Sequence, residues 1–170
     1  MKTPFRILLI GAVVGVLSSC GYQLGSAKPA LLRNVTKLAI PTFKNKTLEP
    51  RIEVLLADST VKAFQQDGTY EIVSDDRADA ILYCTLDSIE RRQARAVLNN
   101  VLATREFTLK LELKYELVDR VTGVTLQRGT ITGDTSFFIN NDLQTDERQA
   151  IITAINELAQ KLVGRIAEGF

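Results

Sequence analysis

The chain has 170 residues, 21 lysines and arginines against 20 aspartates and glutamates, and no histidine. A charge this close to zero excludes bulk attraction to nucleic acid or to an acidic membrane surface, so any basic function has to be local. Without histidine the Ser-His-Asp and Cys-His machineries cannot be built and the commonest zinc ligand is missing, and with scattered carboxylates and no glycine-rich phosphate loop neither a metal, a cofactor nor an enzymatic activity is expected.

The first nineteen residues read as an export leader: Lys2 and Arg6, an apolar run from Ile7 to Leu17, then small residues before Cys20. Eleven apolar residues are too few to span a bilayer comfortably. The order Leu17-Ser18-Ser19-Cys20 resembles the lipobox of bacterial lipoprotein signals, which implies cleavage before Cys20 and acylation of the new N-terminal cysteine. At roughly 0.8 kcal/mol per buried methylene, several acyl chains make a permanent anchor. An ordinary secretory signal with an incidental cysteine is the other reading. Gly21 and Tyr22 follow the cysteine where an acidic retention signal would stand, so the destination is read as the outer membrane, lipid-anchored and facing the periplasm. Losing Lys2 and Arg6 with the leader brings the mature charge near minus one.

Residues 20–34 carry Gly21, Gly25, Ser26 and Pro29 and are expected to form a lipidated tether, leaving 35–170 as a single domain. A first strand is predicted over Val35 to Pro41. Pro50 suits a first helical turn, and Ile52, Leu55, Leu56, Ser59, Ala63 and Phe64 recur at helical spacing, predicting a helix from about Pro50 to Gln66 that stops at Asp67-Gly68. Tyr70 to Val73 is expected as a short extended piece.

Asp79 to Phe138 reads as three antiparallel strands. In the middle one Phe107, Leu109, Leu111, Leu113, Tyr115 and Leu117 alternate with polar residues, giving one buried and one wet face. Ala80, Leu82, Cys84 and Leu86 form the matching apolar set on the strand before it. With Asn99-Asn100 as the turn, opposite residues sum to 199 and Cys84 faces Tyr115; a sum of 197 pairs Asp87 with Lys110 instead, and both registers keep the apolar faces together. Cys84, the only thiol beside Cys20, cannot form an intramolecular disulfide with an acylated partner and is expected to pack in the core. Val124 to Phe138 returns as a third strand, with a bulge expected at Gly129 or Gly133.

The last helix is expected to begin near Asp142 to Thr145 and to bury Ile151, Ile152, Ile155, Leu158, Ala159, Leu162, Val163 and Ile166. The fold class is therefore α+β, a two-layer sandwich with a mainly antiparallel four-stranded sheet and two helices packed on one face, in the order strand-helix-strand-strand-strand-helix.

The stretches Cys20-Gly21-Tyr22-Gln23-Leu24 and Leu38-Ala39-Ile40-Pro41-Thr42-Phe43-Lys44-Asn45-Lys46-Thr47, with Pro50 beyond, resemble the LPS-assembly lipoprotein family LptE. The likeness covers essentially the whole mature chain, but its specific residues lie in the first third. It implies a non-enzymatic lipoprotein that plugs the lumen of the LptD β-barrel translocon, supports its assembly and takes part in delivering lipopolysaccharide to the outer leaflet. A structural or ligand-binding lipoprotein of a different envelope machine is the alternative.

Candidate contact residues come from the chain itself. Arg91, Arg92 and Arg95, with Arg105 on the returning strand, form the densest basic cluster, and the arginine fork suits phosphate. Val97, Leu98, Val101 and Leu102 would crown the same hairpin as an apolar tip for lipopolysaccharide or a partner. A solvated hairpin end that resists edge pairing is the plain alternative. Lys37, Lys44 and Lys46 form a looser second group.

Overall fold

The strict alternation around Leu111 and Leu113 produces what it should in the computed structural model, which describes residues 28–93, 106–138 and 142–167: a long strand whose leucines are fully buried and whose lysines and glutamates face water. The strands are β1 (Lys37–Ala39), β2 (Lys44–Asn45), β3 (Glu71–Ile72), β4 (Ala80–Gln93), β5 (Glu106–Asp119) and β6 (Thr125–Phe138); the helices are α1 (Ile52–Asp67) and α2 (Leu143–Ala167). Leader, acylation site and hairpin tip lie outside the described residues. Residues 28–34, part of the expected tether, rest on the domain: Leu32 is buried, and the Lys28 ammonium sits 4.5 Å above the Tyr70 ring while donating to the Val35 carbonyl.

The expected α+β sandwich is present, but its sheet is six-stranded and mixed rather than four-stranded and mainly antiparallel. The order is β3-β1-β4-β5-β6, with β2 pairing β4 farther along the edge that β1 occupies. β4, β5 and β6 are antiparallel, whereas β1 runs parallel to both β3 and β4, and β2 parallel to β4. The parallel pairing follows from α1, which carries the chain back so that β3 leaves in the same direction as β1. β1 and β3 fall within the expected strand Val35 to Pro41 and the extended piece Tyr70 to Val73, but strands of two or three residues carry no readable period that would disclose their partners, and β2 was not expected.

Both helices cover one face. α1 buries Ile52, Leu56, Thr60, Ala63 and Phe64, and ends as Asp67-Gly68 implied, Gly68 taking φ 74° and donating to the Phe64 carbonyl. It begins two residues after Pro50 because Arg51 adopts a left-handed φ of 64°. Leu55, expected inside, is half exposed. α2 starts behind Asp142, whose carboxylate accepts from the Gln144 N–H and the Thr145 hydroxyl, and it buries the expected stripe except Ile152, which is 41% exposed. The helices are parallel: Pro50 to Leu55 lie beside Arg148 to Ile152 at one end, and the Tyr70 hydroxyl donates to the Ile166 carbonyl at the other. Each fully buried leucine beneath them contributes roughly 1.5–3 kcal/mol.

From Ala80 to Leu86 opposite residues sum to 199, with Cys84 against Tyr115 and Leu86 against Leu113; the 197 register does not occur. Asp87 is then an extra residue, and Ser88 faces Glu112. The second bulge lies at Leu126, between the Leu117–Gln127 and Val118–Thr125 pairs, not at Gly129 or Gly133. Those glycines instead admit neighbours. A Cβ on Gly133 would come 2.7 Å from Leu158 Cγ and 2.8 Å from the Ala154 carbonyl, and one on Gly129 would meet the Tyr115 hydroxyl at 2.9 Å. α2 therefore packs directly on the β6 backbone, and the Tyr115 ring covers its neighbour strand.

Candidate functional site

The face of the sheet away from the helices has no covering layer among the described residues. Alternation sends Tyr83 and Thr85 of β4, Lys114 and Glu116 of β5, and Arg128 and Thr130 of β6 to this side, while register sets Thr85 opposite Lys114 and Glu116 opposite Arg128. The link between β1 and β2 folds over one margin, so that Pro41, Thr42 and Lys44 wall an open groove of about 860 Å³ with those residues. β2 fixes Lys44 there by pairing it with Thr85.

Three cations and one carboxylate meet in the groove. Lys44 and Arg128 have no ion-pair partner among the described residues. Lys114 is bound at 2.7 Å by Asp87, which also takes Lys46 at 2.9 Å. The hydrogen bonds from Lys114 and then Lys46 hold the Asp87 carboxyl below its usual range, and the same bond to Asp87 raises Lys114, so both remain charged at neutral pH. Glu116 accepts from the Thr125 hydroxyl at 2.6 Å. The Tyr83 ring, 46% exposed, adds a flat apolar surface. Spread cations beside hydroxyls and a ring can hold an anionic, hydroxyl-rich ligand such as a phosphorylated sugar.

The residues singled out by sequence are divided. Arg91 lies on the helix side of β4, bound to Glu147 of α2 and, at 3.4 Å, to Glu49 before α1. Arg92 lies on the open side with Glu90 at 2.6 Å. Within the described chain this arginine pair is thus split between two faces, and each member has a carboxylate. Arg95, Arg105, Val97, Leu98, Val101, Leu102 and Cys20 lie outside the described residues. Tyr83, Lys114 and Arg128 lie on three separate strands and share no local pattern in the sequence; the β4–β5 and β5–β6 registers bring them together.

Of the residues that carried the family resemblance, Pro41, Thr42 and Lys44 wall the groove, whereas Phe43 and Asn45 are structural. Phe43 is buried, and Asn45 organises the loop before α1: its amide donates to the Glu49 carbonyl at 2.8 Å and the Glu53 carboxylate at 2.9 Å, while its oxygen accepts the Thr47 N–H and hydroxyl at 2.8 Å. Cys84 is 4% exposed, and burial pushes its thiol far above the usual range, which leaves no reactive thiolate. Among the described residues no group of His, Cys, Asp and Glu is placed to hold a metal, and no helix is long and apolar enough to cross a membrane.

The family model LptE, described as lipopolysaccharide-assembly, matches residues 35–166. Among curated proteins none matches. Of solved structures, the fold is similar to a Xanthomonas campestris protein (TM-score 0.56, 16% identity, 83% of this chain and 89% of that one) and to a minor lipoprotein from Acinetobacter baumannii (0.53, 18%, 78% and 92%). It is also similar to the PelC dodecamer of Paraburkholderia phytofirmans (0.55, 14%, 84% and 94%). At these identities the likeness establishes the fold alone.

Proposed function

Because the chain belongs to the LptE family of lipopolysaccharide-assembly proteins, we propose that it is a non-enzymatic outer-membrane lipoprotein, acylated at Cys20 and facing the periplasm, that plugs and helps assemble an LptD-type β-barrel and takes part in passing lipopolysaccharide to the outer leaflet. The family match across residues 35–166 carries this reading. The geometry supports it in two ways. Among the described residues one sheet face is left uncovered for a partner or ligand, and the groove on that face gathers Lys44, Lys114 and Arg128 where phosphate groups of lipopolysaccharide can be met. The arginine hairpin is the second candidate contact.

The test is an affinity pull-down of the full chain from detergent-solubilised outer membrane, with intact-mass analysis of the bait. A large β-barrel recovered in stoichiometric amount, and a mass including acyl chains on Cys20, are expected. Recovery of the acylated bait without a barrel would leave a lipoprotein of another envelope machine.

A further inference from the structure

Four strands lay the open groove out as two rows. Lys44 pairs with Thr85, Thr85 faces Lys114 and Lys114 faces Thr130; two residues along, Tyr83 faces Glu116 and Glu116 faces Arg128. Adjacent strands lie about 4.8 Å apart, so the Lys44 and Lys114 backbones stand about 10 Å from each other across Thr85. Among the described residues the lining includes no leucine, isoleucine, valine, methionine or phenylalanine. A pocket for an apolar ligand is lined mostly by such side chains, and an acyl chain laid here would meet hydroxyls and cations instead. The exposed aliphatic residues Val54, Leu55 and Ile152 lie on the helix side of the molecule. The groove is therefore built for the charged, hydroxyl-bearing part of a ligand.

Of its three cations only Lys114 has an ion-pair partner among the described residues. Asp87 takes Lys114 on Oδ2 at 2.7 Å and Lys46 on Oδ1 at 2.9 Å, and Lys46 stands outside the groove, beside Leu48 and Glu49. The Lys114 and Asp87 side chains are 51% and 23% exposed, so a solute reaches both. A phosphomonoester carries about −1.5 to −2 charges at neutral pH and three acceptor oxygens, which lets it compete with a single carboxylate for Lys114 when Lys44 and Arg128 attract it too. Because separate oxygens of Asp87 hold the two lysines, one bond can open while the other stays. Resting on the reading that this groove meets lipopolysaccharide, we propose that it takes the phosphorylated saccharide head alone and that Asp87 is the internal competitor of that head, exchanged on Lys114 for a phosphate while Lys46 keeps the carboxylate. Lys114 and Asp87 each have a partner before and after the exchange, so the ligand enters and leaves without stranding either charge. A protein that passes its ligand on needs such reversible binding.

The full chain, purified in non-ionic detergent, is titrated in a calorimeter with glucose bisphosphate, a phosphorylated sugar without acyl chains, and separately with lipopolysaccharide. Glucose bisphosphate is expected to bind the wild type, to lose affinity in Lys44→Glu, and to bind Asp87→Asn about fivefold more tightly, the worth of one half-exposed ion pair. Asp87→Glu, which keeps the charge, should match the wild type. The gain in Asp87→Asn should vanish in about 1 M salt, where the screening length falls to about 3 Å. Equal or weaker binding by Asp87→Asn, or a gain indifferent to salt, overturns the exchange and leaves Asp87 as a clamp on the bulge. Lys46→Gln leaves the groove lining intact and should weaken binding about fivefold, because the displaced carboxylate then has no partner; unchanged affinity overturns the exchange even where Asp87→Asn does not fold. Unchanged affinity in Lys44→Glu puts the sugar elsewhere and overturns the proposal. Lipopolysaccharide binding without glucose bisphosphate binding removes this inference alone, whereas binding of neither removes the groove as a lipopolysaccharide site as well.

Discussion

Gly133 has no side chain because α2 passes where one would be: the Ala154 carbonyl and Leu158 Cγ both stand within 3 Å of its missing Cβ. One of these is backbone and cannot swing aside, so Gly133→Ala forces α2 off the sheet. A loss of about 2–3 kcal/mol in urea unfolding is expected, as for overpacked cores. Asp79 acts at the same scale by hydrogen bonding. Its Oδ2 accepts the N–H groups of Thr36 and Lys37 and the Thr36 hydroxyl, and these bonds, led by the Thr36 N–H, hold the carboxyl below its ordinary value of 3.8. A carboxyl lowered on folding stabilises the native state above its unfolded value, and the contribution disappears as pH falls through the folded one. Asp79→Ala should therefore cost about 1–2 kcal/mol at pH 7 and flatten the fall of stability below about pH 4, read from urea midpoints across pH.

Among elements, β4 explains most of the distance between sequence and structure. Its first half was legible in part: Ala80, Leu82, Cys84 and Leu86 share a parity that puts them on the apolar face of β5, but that parity allows pair sums of 199 and 197 alike, and only the structure selects the first. Beyond Leu86 the apolar phase moves to an odd position, Ile89, and an unbroken strand would have turned Ser88 and Glu90 inward. The extra residue at Asp87 restores the phase, relieves the Asp87–Glu112 apposition and places Ile89 opposite Leu111 and Arg91 opposite Leu109. The phase change was visible in the sequence; the lysines that hold the bulge, Lys46 and Lys114, were not, because one of them arrives from β2, a strand too short to read. Ile89→Ala should thus cost about 1–2 kcal/mol, while Ser88→Ala stays within about 0.5 kcal/mol. A strand without the bulge would give the reverse order in denaturant titrations.

At the scale of the molecule the deciding property is that both helices among the described residues lie on one side. The bare side gathers Lys44, Lys114 and Arg128 from three separate stretches, so no local pattern could announce the groove, whereas the arginine hairpin was conspicuous because its residues are neighbours in sequence. Replacing Lys44 or Arg128 singly with glutamate should weaken lipopolysaccharide binding by the purified soluble domain about tenfold, since one lost charge-assisted contact of about 1.4 kcal/mol corresponds to that factor. Binding unchanged in a fluorescence titration would return the phosphate role to the hairpin. The same layering seals Cys84 on the strand at the middle of the sheet, where the thiol is 4% exposed. In a variant lacking Cys20 it is the sole sulfhydryl of the chain, and a maleimide can reach it only when the sandwich comes apart. Its labelling should be negligible in native buffer and rise in step with urea, reporting global opening rather than fraying. The protein thereby carries a built-in clock for how often its layers separate.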